Sequence, residues 1–413
     1  MTQNRSRPNS SAFAPARSNL RLASLLLFLV LGGCQPRPID WQQDVYIWQR
    51  NWSESIAQSI GGLSREIGRH RVLVAQWGAG QPDFHLDLAG VMATLSGRDM
   101  VPVLRLDGTR LPVSPQQALD SAVEIVAVLR RAGVRVSALE IDHDTATAAV
   151  GDYADWLAEL RRRLPVDLDL WITALPDWRH SPDIERLLGA VDVYTLQVHA
   201  VDASHDGLMD QAVARDWVRA FSMRFETPFF VALPTYQLRA GLESDGSLRF
   251  LEAEAAVPAR AANERWLFMP PQALGRWISE LRQESLPNLR GLAWFRLPSE
   301  RDRANLGIET LNALIEGQEV VVEMDLIARP VREGGRTYDL AWINHGPHDG
   351  AWPHEATLPA GCGAGQGANG FEMDARSGRL AHDQPGLLRV GEQIGAGWVR
   401  CTEGWEALDE QED

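Results

Sequence analysis

Apolar residues recur along this chain with two periods, and the two alternate over most of its length. Eight short apolar runs stand out: Val45–Trp52, Val72–Trp77, Val101–Leu106, Ser137–Asp144, Leu168–Ala174, Val191–His199, Phe229–Tyr236 and Gly291–Leu297. Their wealth of Val, Ile, Phe and Trp predicts strands. The segments between them predict helices. Ser114-Pro115 supplies an N-cap and a proline at the first helical position, apolar residues follow at Ala118, Ala122, Val126 and Leu129, and Gly133 ends the helix. Ser181-Pro182 opens another, and Arg303 to Ile315 predicts the helix after the eighth strand. Strands alternating with helices over residues 45–317 predict an α/β fold, a (β/α)8 barrel of the TIM type. The alternative, a doubly wound open sheet, lacks a glycine-rich phosphate loop after an early strand.

The connection after the seventh run is long. Glu243-Ser-Asp-Gly246 within it predicts a hairpin turn, placed on the C-terminal face where such barrels carry their sites. After Gly317 the pattern changes. Glu319–Ala328 and Thr337–Asn344 alternate as strands, and Gly and Pro are dense from Gly346 to Gly370. Residues 318–404 are therefore read as a small all-β, sandwich-like domain, and 405–413 as an acidic tail.

The start of the chain carries targeting information. Residues 1–39 hold no acidic residue, and Arg5, Arg7, Arg17 and Arg21 precede the apolar run Leu22–Leu31. Ten helical residues rise about 15 Å, half the hydrocarbon thickness, so the run is a signal h-region and not a membrane span. It leads into Leu31-Gly-Gly-Cys34, which resembles a bacterial lipobox. Residues 1–33 are expected to be a lipoprotein signal peptide, Cys34 the lipid acceptor, and residues 34–44 a linker. Export and anchoring to the outer membrane are expected, because no Asp follows the cysteine.

Charge and cysteines narrow the partners. The net charge is -15, and loss of the four signal arginines takes the mature body to about -19. Nucleic acid is thereby disfavoured as a partner. Beyond Cys34 only Cys362 and Cys401 remain, which in an oxidising compartment predicts one disulfide. No motif calls for a metal or a cofactor.

The candidate chemistry lies at strand ends. Run four reads Leu139-Glu-Ile-Asp-His-Asp144, so if Leu139 and Ile141 face the helices, Glu140, Asp142 and Asp144 share the inner side. Such carboxylates stand about 6.5–7 Å apart. Their repulsion should raise at least one pKa, and a barrel that tolerates them is expected to use them. The same phasing sends Arg105 and Asp107, Thr173, Thr195, Gln197 and His199, Tyr236, and Trp294 with Arg296 inward, along with Trp48, Arg50 and Gln76. Glu140 is expected to pair with Arg50 or Arg105. A polar bowl with aromatic walls suits a hydroxyl-rich ligand, a polysaccharide or oligosaccharide.

Several blocks carry a resemblance. Tyr46-Ile-Trp-Gln-Arg-Asn-Trp52, Ile141-Asp-His-Asp144, Leu196-Gln-Val-His199, Ala232-Leu-Pro-Thr-Tyr236 and Trp294-Phe-Arg-Leu-Pro298 resemble, in order, an uncharacterised bacterial family, domain of unknown function 3142. That resemblance implies membership and no reaction. More distantly, the Glu140-x-Asp142-x-Asp144 ladder resembles the strand-four Asp-x-Asp-x-Glu of family 18 glycoside hydrolases, whose last carboxyl is the general acid; here that residue is Asp. It implies a glycosidase with Asp144 as proton donor and Asp142 holding it. Glu140, Gln197, His199, Tyr236, Trp294, Arg296 and Arg105 are then candidates for binding the sugar. No inward acid ends run seven, so an acetamido group of the substrate is expected to replace the second carboxylate. The alternatives are a non-catalytic carbohydrate-binding or envelope-scaffold lipoprotein, and a metal-dependent deacetylase using Asp142, Asp144 and His199.

Overall fold

A computed structural model describes residues 41–78, 81–199, 207–243, 247–252, 264–382 and 386–405. Cys34, the signal segment, the turn residues 244–246 and most of the acidic tail lie outside the described residues. Eight parallel strands form the centre: β1 (Gln42–Ile47), β2 (Ile67–Gly78), β3 (Asp99–Leu106), β4 (Ala138–Asp142), β5 (Asp169–Ala174), β6 (Val193–Gln197), β7 (Phe229–Pro234) and β8 (Leu289–Phe295). Each neighbours the next in sequence, and β8 returns to pair with β1, Gln42 opposite Gly291 and Val45 opposite Trp294. The sheet is therefore a closed barrel. Gly291 is required at that seam, where an added Cβ would lie 1.9 Å from the Gln42 carbonyl oxygen.

One helix follows each strand: α1 (Glu54–Gly62), α2 (Leu88–Leu95), α3 (Pro115–Arg131), α4 (Val150–Arg163), α5 (Ile184–Leu188), α6 (Gln211–Arg224), α7 (Pro271–Leu281) and α8 (Ile308–Ile315). Helix α3 forms as its sequence predicts. Ser114 and Gln117 make a reciprocal capping box, Ala118, Ala122, Val126 and Leu129 are its buried face, and Gly133 takes φ 81° just past its end. The helix layer packs on outward strand residues such as Val45, Leu139, Ile141, Ile172, Leu196 and Trp294. Truncating one of these to Ala costs about 2–5 kcal/mol.

Helix α8 is shorter than its sequence predicts. Residues 303–307 are not helical because their backbone pairs with the chain leaving β7: Leu306 N–H donates to Thr235 O (2.9 Å) and Gln237 N–H to Ala304 O (2.7 Å). The insertion after β7 holds the expected hairpin, Leu238–Leu242 against Leu248–Glu252, with Glu264–Leu267 as a third strand.

The C-terminal region is all β. Met324–Pro330, Thr337–Asn344, Gln393–Cys401 and Cys362–Gly367 form one antiparallel sheet in that spatial order. Smaller sheets join 355–357, 379–381 and 372–374, and 350–351 with 387–388. The Cys362–Cys401 disulfide is formed. Closing a loop of this length contributes roughly 4 kcal/mol in the chain-entropy model. The first strand begins at Met324, later than the expected Glu319, because Val320 is drawn into the barrel's core. Barrel and β region lie in one compact unit. Asp349 of the β region accepts the Gly307 N–H at the start of α8 and the Val390 N–H (2.9 Å). That carboxylate supplies the cap that α8 lacks in its own sequence.

Candidate functional site at the barrel mouth

Two ionic networks lie one above the other inside the barrel. The lower centres on Arg71 of β2. Its guanidinium donates to Asp44 Oδ2 from Nη2 (2.7 Å) and Nε (2.9 Å), and from Nη1 to Glu140 Oε2 (3.0 Å), Tyr46 Oη (3.1 Å) and Thr195 Oγ1. Tyr46 in turn donates to Glu140 Oε1, and Arg69 to Asp44 Oδ1 (3.1 Å). The Arg71 guanidinium lies over the rings of Trp171 (4.8 Å) and Phe230 (4.6 Å), which close the floor. Burial pushes the Glu140 carboxyl up from its ordinary value, and Arg71 and the Tyr46 hydrogen bond work against that push. Glu140 thus faces inward as phased, but its partner is Arg71, not Arg50 or Arg105, and it lies beneath the pocket rather than in its wall.

The upper network centres on Arg105. Strand register sets Arg105 beside Asp142. Its guanidinium reaches Asp107 through Nε (3.0 Å), Asp142 through Nη1 (2.7 Å) and Asp144 through Nη2 (2.8 Å). Asp142 Oδ1 also accepts from Thr173 Oγ1 (2.6 Å). Asp107 Oδ2 accepts from Gln76, and Gln76 Oε1 from Arg50 Nη2 (2.6 Å). Burial raises the Asp142 carboxyl above its ordinary value, Arg105 opposes this, and the nearby Asp144 charge adds to it. Every carboxylate oxygen of Asp44, Glu140, Asp107 and Asp142 has a partner. In Asp144 only Oδ2 does: Oδ1 is buried and has none.

These side chains line a cavity of about 430 Å³. Its acidic wall is Asp107, Asp142 and Asp144, and its opposite wall is Gln197, His199, Ala232, Tyr236 and Phe295 with Tyr46 and Trp48. Phe295 stands at the centre of the aromatic side. Its ring stacks with His199 (5.9 Å, 21°) and meets Tyr46, Trp48 and Tyr236 edge-on at 5.2–5.8 Å. Burial lowers the His199 pKa to about 4, against a hydrogen bond that the ring donates to the Ala232 backbone and against the Asp144 charge. Its Nδ1 has no hydrogen-bond partner. Burial raises the Tyr236 hydroxyl to about 12.

Most residues phased inward meet here: Arg105, Asp107, Asp142, Asp144, Thr173, Gln197, His199 and Tyr236, with Trp48, Arg50 and Gln76. Strand β8 is the correction. Trp294 points into the helix layer, where its Nε1 donates to Gln43 Oε1 (2.8 Å), and Phe295 takes the inward position. Arg296 lies outside the pocket wall and pairs with Asp302 (2.7 Å). The sequence Leu-Arg-Gly-Leu-Ala-Trp-Phe is apolar on both faces, so polarity does not set its phase. The small Gly291 and Ala293 mark the crowded inner side. Arg71 was missed because β2 starts before the apolar run, and a register shift between Leu73 and Ala75 moves Gln76 onto the face that Arg71 also uses. Among the described residues no group of three or more His, Cys, Asp or Glu is placed to hold a metal, and no helix is long and apolar enough to cross a membrane.

The class of molecule is therefore a closed eight-stranded parallel barrel with helices between its strands, extended by antiparallel sheets and carrying a polar, aromatic-walled pocket at the strand ends. Residues 96–300 match the family model of a domain of unknown function, DUF3142, and residues 327–402 that of another, DUF8456. No curated protein matches the chain in sequence. Similar solved structures include the spore cortex-lytic enzyme SleL of Bacillus megaterium QM B1551, at 12% identity over 69% of this chain and 76% of that one, TM-score 0.48. Catalytic domain 2 of the Ostrinia furnacalis Group II chitinase is 14% identical over 68% of this chain and 98% of its own, TM-score 0.43. The xylanase and alpha-amylase inhibitor protein XAIP-II of Scadoxus multiflorus is 13% identical over 68% and 99%, TM-score 0.42.

Proposed function

We propose that the barrel mouth binds and cleaves an N-acetylated glycan of the cell envelope or extracellular matrix. The observation that carries this reading is the free Asp144 Oδ1, a buried carboxylate oxygen left without a partner where every neighbouring carboxylate oxygen has one. A buried acceptor without a partner costs about 1–3 kcal/mol, which a donating hydroxyl or amide N–H of a ligand offsets. The facing aromatic wall suits the apolar face of a sugar ring, and Gln197 and Tyr236 supply hydrogen bonds. Asp144 gives its proton to the leaving oxygen as the C1–O bond breaks. The pocket's carboxylates are all on the β3–β4 side and all bound to Arg105, so none stands across the cavity as a nucleophile. The substrate's acetamido oxygen bonds to C1 instead, and water then displaces it and completes hydrolysis.

The Arg105 clamp favours a second reading, binding without cleavage. A carboxylate held by a guanidinium is a fixed acceptor for sugar hydroxyls and needs no proton for that work. A panel of chitin oligomers, peptidoglycan, and acetylated and deacetylated glucosamine polymers separates the two. Wild type is expected to cut an acetylated member. Asp144→Asn is expected to keep binding and lose about 10²–10⁴ in rate. Trp48→Ala is expected to weaken binding. A glycan bound by wild type and never cut selects the binding reading; equal cutting by Asp144→Asn removes Asp144 from the chemistry. We also propose that the protein works at the outer membrane, anchored through lipid on Cys34, as its lipobox-like sequence supports. Cys34→Ser is expected to move it to the soluble fraction, and a variant that still pellets with membranes would disprove the anchor.

A further inference from the structure

The β region has a solvent face that the reading above leaves without a role. Residues directly opposite one another on antiparallel strands share a face of the sheet. Asp339, Trp398 and Gln366 pair across three strands in one row, and Thr337, Arg400 and Ala364 in the next. The reverse face of the same strands, with Tyr338, Leu340 and Val399, packs the core. Asp339, Gln366 and Arg400 are exposed, and Trp398 at 38% is the one aromatic among the exposed large apolar residues described. Among the described residues, none of these four side chains has a hydrogen bond, ion pair or ring contact.

Arg400 also lines a groove of about 470 Å³, together with Arg376 and the segment Gly361–Gly363. Neither guanidinium has a carboxylate partner among the described residues. The chain as a whole is at -15, so an acidic polymer is repelled by most of its surface and attracted where unpaired arginines gather. A protein partner would need a broad apolar core, whereas here a single indole stands among polar neighbours. The disulfide between Cys362 and Cys401 ties the two strands that carry Gln366, Trp398 and Arg400, so the face is ordered before any ligand arrives.

We propose that this face is a second glycan site, separate from the barrel mouth, for a carboxylate-bearing polysaccharide. The Trp398 indole stacks on the apolar face of one sugar ring, Asp339 and Gln366 take its hydroxyls, and Arg400 with Arg376 takes the carboxylate of the polymer. The test is affinity electrophoresis of the full mature chain through polygalacturonate, alginate and hyaluronate, with carboxyl-reduced polygalacturonate as the uncharged control. Wild type is expected to be retarded by at least one acidic polymer, and added salt to release it. Trp398→Ala and Arg400→Gln are each expected to weaken retention at least tenfold, and Trp398→Phe to keep part of it. Carboxyl reduction is expected to weaken it at least tenfold, while Trp48→Ala, which weakens binding at the barrel mouth, leaves it unchanged. The site is overturned by any of three results: no retardation on all three acidic polymers, wild-type retention of Trp398→Ala, or equal retention on the carboxyl-reduced polymer. Thermal unfolding of each variant, expected to match wild type for these exposed residues, separates lost contact from lost fold.

Discussion

The barrel holds two arginine–carboxylate networks about two residues apart along β4, and they differ in one respect that matters. Beneath, Arg71, Asp44 and Glu140 are sealed from solvent, and every carboxylate oxygen is matched. Above, the Arg105 side chain is 23% exposed and Asp144 keeps one oxygen without a partner. The same residue types therefore serve two ends. A closed network organises the floor, and an open one presents a carboxylate to whatever enters the mouth.

Removing each arginine tests that division, and the floor should give the larger effect. Arg71→Met leaves Asp44 and Glu140 buried without their cation, and breaking a buried pair in this way costs about 3–5 kcal/mol. Denaturant unfolding of the variant should show it as a fall in midpoint. Arg105→Met should cost less, about 1–3 kcal/mol, because two of the three carboxylates it leaves behind, Asp107 and Asp144, are open to solvent. It should instead abolish glycan binding. Equal losses of stability from the two variants would erase the distinction between floor and mouth.

Much of this arrangement is legible in the sequence, and the misses have physical causes. The eight strands and the phase of β4 follow from alternation, because Leu139 and Ile141 have no place inside a ring of charge. Asp142 and Asp144 in the wall follow from that phase, and Asp107 from the same alternation in β3. The cation that completes the floor does not: Arg71 precedes the apolar run, and no local pattern marks the register shift that carries the face on to Gln76. Phe295 escapes for a different reason, since in a strand apolar on both sides only the packing decides which side is inner. The capping of α8 by Asp349 joins residues far apart in the chain, and spacing alone gives no sign of it.

Protons give a finer contrast. Burial holds the Asp142 carboxyl above its ordinary value of 3.8, with the Asp144 charge adding to the effect. A group raised in this way contributes stability that is complete below the ordinary value and is lost as pH rises through the raised one. Asp142→Asn stays neutral and escapes that loss. The stability of the variant relative to wild type should therefore improve as pH climbs from the carboxyl range toward neutrality. Urea midpoints across that range measure it, and a flat or falling difference would mean that Arg105 fully compensates the burial of Asp142.

The smallest expected effect lies on the opposite wall and has the opposite sign. Burial lowers the His199 pKa from 6.5 to about 4, so the folded state holds the ring neutral where an unfolded chain would charge it. Its contribution is complete above 6.5 and is lost as pH falls from there to about 4. A shift of that size has a ceiling of about 3 kcal/mol, and water in the open mouth screens it to about 1 kcal/mol. His199→Gln cannot charge, so its stability should fall less than that of wild type between those limits. Because His199 stacks on Phe295 at the aromatic wall, protonating it should also loosen sugar binding over the same window. Glycan affinity measured in parallel should drop in wild type and hold steady in the variant. A wild-type profile that stays flat from neutrality down to about 4 would show that the ring is solvated in the mouth and takes no part in the wall that the ligand meets.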